Sequence, residues 1–245
     1  MKLHLKHIEY EIVDHCNLRC QNCTKFSYLK EKRNLSLSQI KQDFIKINDR
    51  FKLDEFTILG GEPLLHPEII GIILAAKKIF TDTKLKIISN GTTFLKKSPL
   101  FYNILASSKI LIEISKYDLK LDYNKMKDLS RSLGINFRFI DKPVFTEFVN
   151  NEGTSNPQNS FKACRDSFFC PNFRDEMLYT CGFAYSSKFL SNNNYISKKA
   201  LDLGISIYAS NNEILSYLNR PVSTCSFCKA EDNIQKPWKL LPKSA

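Results

Sequence analysis

Residues 6–13 alternate apolar and polar side chains around HIEYEIV, which predicts a β-strand with one buried face. Over residues 36–51 the apolar positions shift to 37, 40, 44, 45 and 47, a helical spacing, with Ser36 and Ser38 as candidate caps. The same exchange then repeats. Strands are predicted over 55–59, 85–89, 110–115 and 135–140. Helices are predicted over 67–80, with Pro67 in the first turn, over 98–107, and over 123–133 up to Gly134. Strand and helix in alternation imply parallel strands joined by crossover helices. A closed eight-unit barrel takes about 250 residues. Five strands are spent by residue 140, so the expected fold is α/β, a partial (β/α) TIM-like barrel of five to six units.

The pattern breaks after that point. Residues 143–161 are rich in Asn, Gly, Pro and Ser (NNEGTSNPQNS), the composition of a loop. Residues 164–228 hold five of the eight cysteines, and Trp238, the only tryptophan, lies in the tail. The expected division is a barrel over 1–145, a bridge over 146–163, a small Cys-rich α+β subdomain over 164–235, and a tail over 236–245. That tail would dock as a short helix or fray.

Parallel α/β folds gather their chemistry at the C-terminal ends of the strands. There the chain places Asp14–Cys23, DHCNLRCQNC, with thiols at 16, 20 and 23. The spacing is too tight for a disulfide scaffold. It is also one thiol short of the four ligands that fill an iron–sulfur cube or a tetrahedral zinc site. The strand FTIL then runs into Gly60-Gly61-Glu62-Pro63. CxxxCxxC followed by a strand ending in GGEP resembles the radical SAM superfamily, over roughly residues 6–140. The resemblance implies a [4Fe–4S] cluster on Cys16, Cys20 and Cys23, its open iron chelated by the amino and carboxylate groups of S-adenosylmethionine. One electron from the cluster would then cleave the sulfonium, giving a 5′-deoxyadenosyl radical that removes a substrate hydrogen.

Gly60 and Gly61 lack a Cβ, so their backbone can come close to a ligand. In the family this turn binds the SAM amino group, and Glu62 is part of the motif. Ser89, Asn90 and Ser115 stand at strand ends as ribose and carboxylate contacts, or as satisfied turn residues. Asn22 occupies the place before the third cysteine where many members carry an aromatic residue; an adenine contact there would come from the backbone. His15 and His66 flank the two motifs, as acid or base or as hydrogen-bonding bystanders. Tyr117, Arg138 and Asp141 are further substrate-side candidates, and no general base is singled out.

Cys164, Cys181, Cys225 and Cys228 resemble the twitch subdomain, a shortened SPASM module that holds an auxiliary [4Fe–4S] cluster. Four thiolates close the coordination shell, which suits an electron conduit and not a second SAM site. Glu176, in RDEMLYTC, stands where the family's turn has glycine. Cys170 is a fifth candidate for four places, either the spare or a replacement for Cys164. A structural zinc on the same thiols is the alternative, because spacing alone does not separate iron from zinc.

At 245 residues and 43% hydrophobic, the chain can bury one core plus an appendage. His4, Lys6, His7 and Glu9 interrupt any apolar run after Met1, and no run approaches the ~18 residues of a membrane span. A cytoplasmic protein without a membrane partner is therefore expected, with cysteines that bind metal and not disulfides. Two clusters would reduce the formal +11 to about +8. That charge still suits a small-molecule substrate that is anionic, such as a nucleotide or sugar phosphate. No segment stacks aromatics through a basic stripe, so a nucleic-acid partner is not expected. The resemblance implies an electron donor such as flavodoxin or ferredoxin.

The functional expectation is a radical SAM oxidoreductase that dehydrogenates a sugar, cyclitol or nucleotide-sugar with help from the auxiliary cluster. The length leaves no room for a peptide-leader domain. Maturation of a ribosomal peptide or partner protein, and a non-catalytic iron–sulfur RNA-binding module, stay open as alternatives.

Overall fold

The predicted alternation is present in the computed structural model, which describes residues 1–167 and 169–242. The chain divides into two compact units, Met1–Asn17 with Lys32–Pro143, and Leu18–Glu31 with Val144–Ala245.

In the first unit, β1 (Leu3–Val13), β2 (Phe51–Gly60), β3 (Lys84–Ser89), β4 (Leu111–Lys116) and β5 (Phe137–Asp141) lie side by side in the order β5-β4-β3-β2-β1. Every neighbouring pair is parallel. The crossovers carry α1 (Leu37–Arg50), α2 (Ile69–Ile79), α3 (Pro99–Ser108) and α4 (Tyr123–Ser132). This is the expected partial (β/α) barrel, with five strands. Ser36 caps α1 by accepting the Gln39 N–H, and Ser98 caps α3 by accepting the Phe101 N–H, with Pro99 in the first turn. The core packs α1 and α2 on the sheet through aromatics. Phe56 stacks on Phe80 at 4.4 Å, and Phe44 meets Tyr10 and Phe56 edge-on at 5.4 and 5.3 Å. The Tyr10 hydroxyl donates to buried Asp43 at 2.6 Å, so the ring enters the core without stranding its oxygen.

β2 begins at Phe51, four residues ahead of the predicted strand, and α1 passes into it without a loop. Phe51 and Leu53 are buried while Lys52 and Asp54 point out. Phe51 also continues the helical spacing from Ile47, and that ambiguity hid the boundary.

The second unit departs further from expectation. The stretch predicted as a loop contains β6 (Val144–Thr146) and the first turn of α5 (Pro157–Ser167). Asn156 starts α5 by accepting the N–H groups of Gln158 and Asn159, both at 3.0 Å, with Pro157 in the first turn. Next come β7 (Asn172–Arg174), β8 (Met177–Tyr179), α6 (Gly182–Asn192), β9 (Ile205–Ser206) and α7 (Asn211–Leu218). β7, β8 and β9 pair antiparallel. The β7–β8 turn is a two-residue connection in which Asp175 and Glu176 both take positive φ, 51° and 61°. The missing glycine therefore leaves the turn tight but puts two L-residues in left-handed backbone.

The tail neither frays nor forms a helix over its described residues. β10 (Gln235–Pro237) pairs antiparallel with β6. Beyond it, Leu240 bridges Cys20, while Gln21 N–H donates to Lys239 and Leu241 N–H to Arg19. The core of this unit collects Phe26, Phe183, Leu190, Ile196, Ala200 and Phe227. No helix among the described residues is long and apolar enough to cross a membrane.

Candidate functional site

In the first unit, the C-terminal ends of β1, β2 and β3 meet around a set of hydrogen bonds. Gly61 N–H donates to the Val13 carbonyl and Glu62 N–H to the His15 carbonyl, each at 3.0 Å. A Cβ on Gly60 would overlap Val13 O, and one on Gly61 would overlap the His15 carbonyl. The close approach that these glycines permit is therefore to the chain's own Val13–Cys16 backbone. Their absent side chains fix where Cys16 leaves the sheet.

Glu62 is fully buried. Its carboxylate accepts Ser89 Oγ at 2.7 Å, Asn90 N–H at 2.7 Å and Leu64 N–H at 3.0 Å. Burial pushes its carboxyl up, while those three donors and the Lys97 charge oppose the shift. Lys97 also donates to the Leu64 carbonyl. Glu62 thus clamps the end of β3 to the glycine turn.

Asn90 carries the clamp on to the cysteine. Its Nδ2 donates to Cys16 Sγ at 3.6 Å and to Asn17 Oδ1 at 2.9 Å, while its Oδ1 accepts from Thr92. An N–H aimed at that sulfur favours the thiolate that a metal needs. Thr92 and Asn17 were not singled out from sequence. The N-G-T turn after a strand end is the signal that could have found Thr92. Ser89 accepts Gly91 N–H at 3.0 Å, and Ser115 is buried at the end of β4, paired in register with Ile140.

Of the two histidines, His66 is spent on structure. Its Nε2 lies 2.8 Å from the Leu35 carbonyl, its Nδ1 accepts Glu68 N–H, and burial lowers its pKa. His15 Nδ1 is buried with no hydrogen-bond partner among the described residues. Arg138 pairs with Glu113, and Asp141 is exposed beside Lys116 at 3.4 Å.

The second unit holds Cys20 and Cys23. Cys20 is buried, and desolvation raises its pKa to about 11, with Trp238 opposing. Burial also raises Cys23. Asn22 adopts φ 61°, a left-handed conformation that Asn tolerates better than most side chains.

The same unit brings Cys164, Cys181, Cys225 and Cys228 to one pocket. Cys164 comes from α5. Cys181 caps α6, its sulfur accepting Ala184 N–H at 3.3 Å, where the helix dipole favours a thiolate. Cys225 and Cys228 lie in the turn over Ser223–Phe227 and just after it, which Ser160 Oγ ties to α5 through the Cys228 carbonyl at 2.7 Å. Burial pushes the Cys164 and Cys228 thiols up to about 12, and Cys181 and Cys225 also upward. Four cysteines converging on one pocket are the donor set of a fully ligated metal cluster, so the residues present fit that group. Cys170 raises the Cys164 pKa further but is not among the lining residues. No three His, Cys, Asp or Glu side chains among the described residues converge on a single ion. Thiols on separate irons of a cube sit farther apart than thiols sharing one zinc.

Residues 10–115 match the family model of the radical SAM superfamily. The chain is 30% identical over 165 residues to a GTP 3′,8-cyclase of Microcystis aeruginosa, covering 64% of this chain and 42% of that protein. It is 32% identical over 105 residues to the GTP 3′,8-cyclase of Trichodesmium erythraeum, covering 39% and 30% respectively. The chain spans less than half the length of these curated relatives. The crystal structure of BtrN in complex with AdoMet and 2-DOIA superposes with a TM-score of 0.56 at 13% identity, over 94% of each chain.

Proposed function

We propose that this chain, an enzyme with a radical SAM domain over residues 10–115, dehydrogenates a small polar substrate such as a sugar, cyclitol or nucleotide-sugar. The family implies a [4Fe–4S] cluster and S-adenosylmethionine, which together supply a 5′-deoxyadenosyl radical as hydrogen acceptor. Cys16, Cys20 and Cys23 would hold that cluster. The turn at Gly60, Gly61 and Glu62 would receive the SAM amino group, with Asn22, Ser89, Asn90 and Ser115 around the rest of the cofactor. Within this set Glu62 and Asn90 orient Cys16, since their polar atoms are engaged with one another and with its sulfur.

The single observation that carries the oxidative reading is the pocket lined by four thiols. Cys164, Cys181, Cys225 and Cys228 would hold a fully cysteine-ligated second [4Fe–4S] cluster there, and the chemistry it would supply is uptake of one electron during oxidation of a carbinol to a ketone. The test is anaerobic incubation with SAM, dithionite and a panel of polyols, cyclitols and nucleotide-sugars. The expected result is 5′-deoxyadenosine in step with a product two hydrogens lighter. No 5′-deoxyadenosine with any substrate retires the reading.

A guanine nucleotide substrate is the second reading. It is favoured by the likeness to GTP 3′,8-cyclases and by the excess of basic side chains, formally +11. GTP in the same panel discriminates: turnover of GTP alone selects this reading.

A further inference from the structure

α5 presents two chemically different side chains in succession, Cys164 and Arg165, and both line the four-thiol pocket. The Arg165 guanidinium is held in place from three sides. Its carbon lies 4.0 Å from the centroid of Phe169 and 5.6 Å from that of Phe161, and Nη2 donates to Asn219 Oδ1 at 2.7 Å. The remaining end, Nη1, is buried and has no hydrogen-bond partner among the described residues.

An arginine cannot shed its charge to escape burial, and a buried N–H left unpaired calls for an explanation. The wall it belongs to supplies one. Four cysteine thiolates around a [4Fe–4S]²⁺ core carry about −2 together, and their sulfurs accept hydrogen bonds. A fixed cation with a free N–H at that wall completes the electrostatics of the pocket. We propose that Arg165 tunes the cluster held by Cys164, Cys181, Cys225 and Cys228, donating Nη1–H to its sulfur shell and raising its reduction potential. The sign follows from charge: one-electron reduction adds a negative charge, which the guanidinium stabilises. A higher potential makes the cluster a better acceptor for the electron a substrate leaves behind. The inference rests on the reading that the pocket holds an iron–sulfur cluster.

The experiment isolates that cluster. Full-length protein with Cys16, Cys20 and Cys23 replaced by alanine is reconstituted anaerobically, with Arg165 retained or carrying Arg165→Met or Arg165→Lys. Iron is counted, and the reduced cluster is titrated by electron paramagnetic resonance. With Arg165, about four irons and a titratable signal are expected. Arg165→Met is expected to lower the reduced-to-oxidised ratio at a fixed poise at least tenfold, equivalent to about 59 mV for one electron. Arg165→Lys, which keeps charge but not the planar fork, falls between. Loss of iron from the methionine variant alone also supports the proposal, because lysine supplies the missing charge. A midpoint that moves less than threefold in that ratio overturns it, as does equal loss of iron from both variants, which marks a packing role. No iron in the protein that retains Arg165 instead removes the two-cluster reading itself.

Discussion

The two units bury different things. In the first, a continuous parallel ladder carries aromatic and aliphatic side chains, with Tyr10, Phe44, Phe56 and Phe80 packed together and the buried carboxylates of Asp43 and Glu62 taken up by hydrogen bonds. In the second, strands are two or three residues long, the buried set includes Arg174, Ser186, Ser187 and Ser191, and four half-buried thiols line one pocket. Apolar burial stabilises the first unit by itself. A cluster held in the four-thiol pocket, as proposed above, would add its binding free energy to the folding of the second. One unit is a scaffold with a site at its edge, and the other is a set of short elements gathered around a pocket.

The contrast breaks most visibly if iron is stripped. Anaerobic chelation is expected to speed amide exchange over residues 172–181 and 223–228 at least a hundredfold while β1 to β4 stay protected. Mass spectrometry of the deuterated peptides checks this; equal protection in both units would abolish the distinction. Next in size, Phe56→Ala removes a fully buried ring from the scaffold and should cost about 3–5 kcal/mol in denaturant unfolding of the iron-free protein. The smallest effect belongs to Glu176→Gly. It relieves left-handed backbone at φ 61° but gives up the bond from the Tyr208 hydroxyl at 3.2 Å. A net gain of about 0.5–1 kcal/mol is expected in the second unit's unfolding midpoint.

The same contrast governs what was legible beforehand. Strand and helix in the first unit announce themselves because each buries a stripe, as in Ile8, Tyr10 and Ile12 against Ile40, Phe44 and Ile47. The four thiols of the pocket stood out by type and spacing, and the structure brings them together. α5 was missed because NPQNS has no apolar stripe to show, although Asn156 and Pro157 are a helix start in plain sight. The clamp was only half legible. GGEP marked Glu62, but nothing local says that its carboxylate reaches 27 residues along the chain to Ser89. The link between residues 19–21 and 239–241 was illegible for the same reason: extended backbone pairs through N–H and C=O groups that every sequence possesses.

That last pairing sets an order on biosynthesis. The segment carrying Cys20 finds its β-partner only once residues near Leu240 have left the ribosome. Until then its thiols wait on a nascent chain, open to oxygen and to stray metals. Closure of the backbone around Cys20 is thus a late event by construction of the fold, set by a partner more than two hundred residues further along the chain.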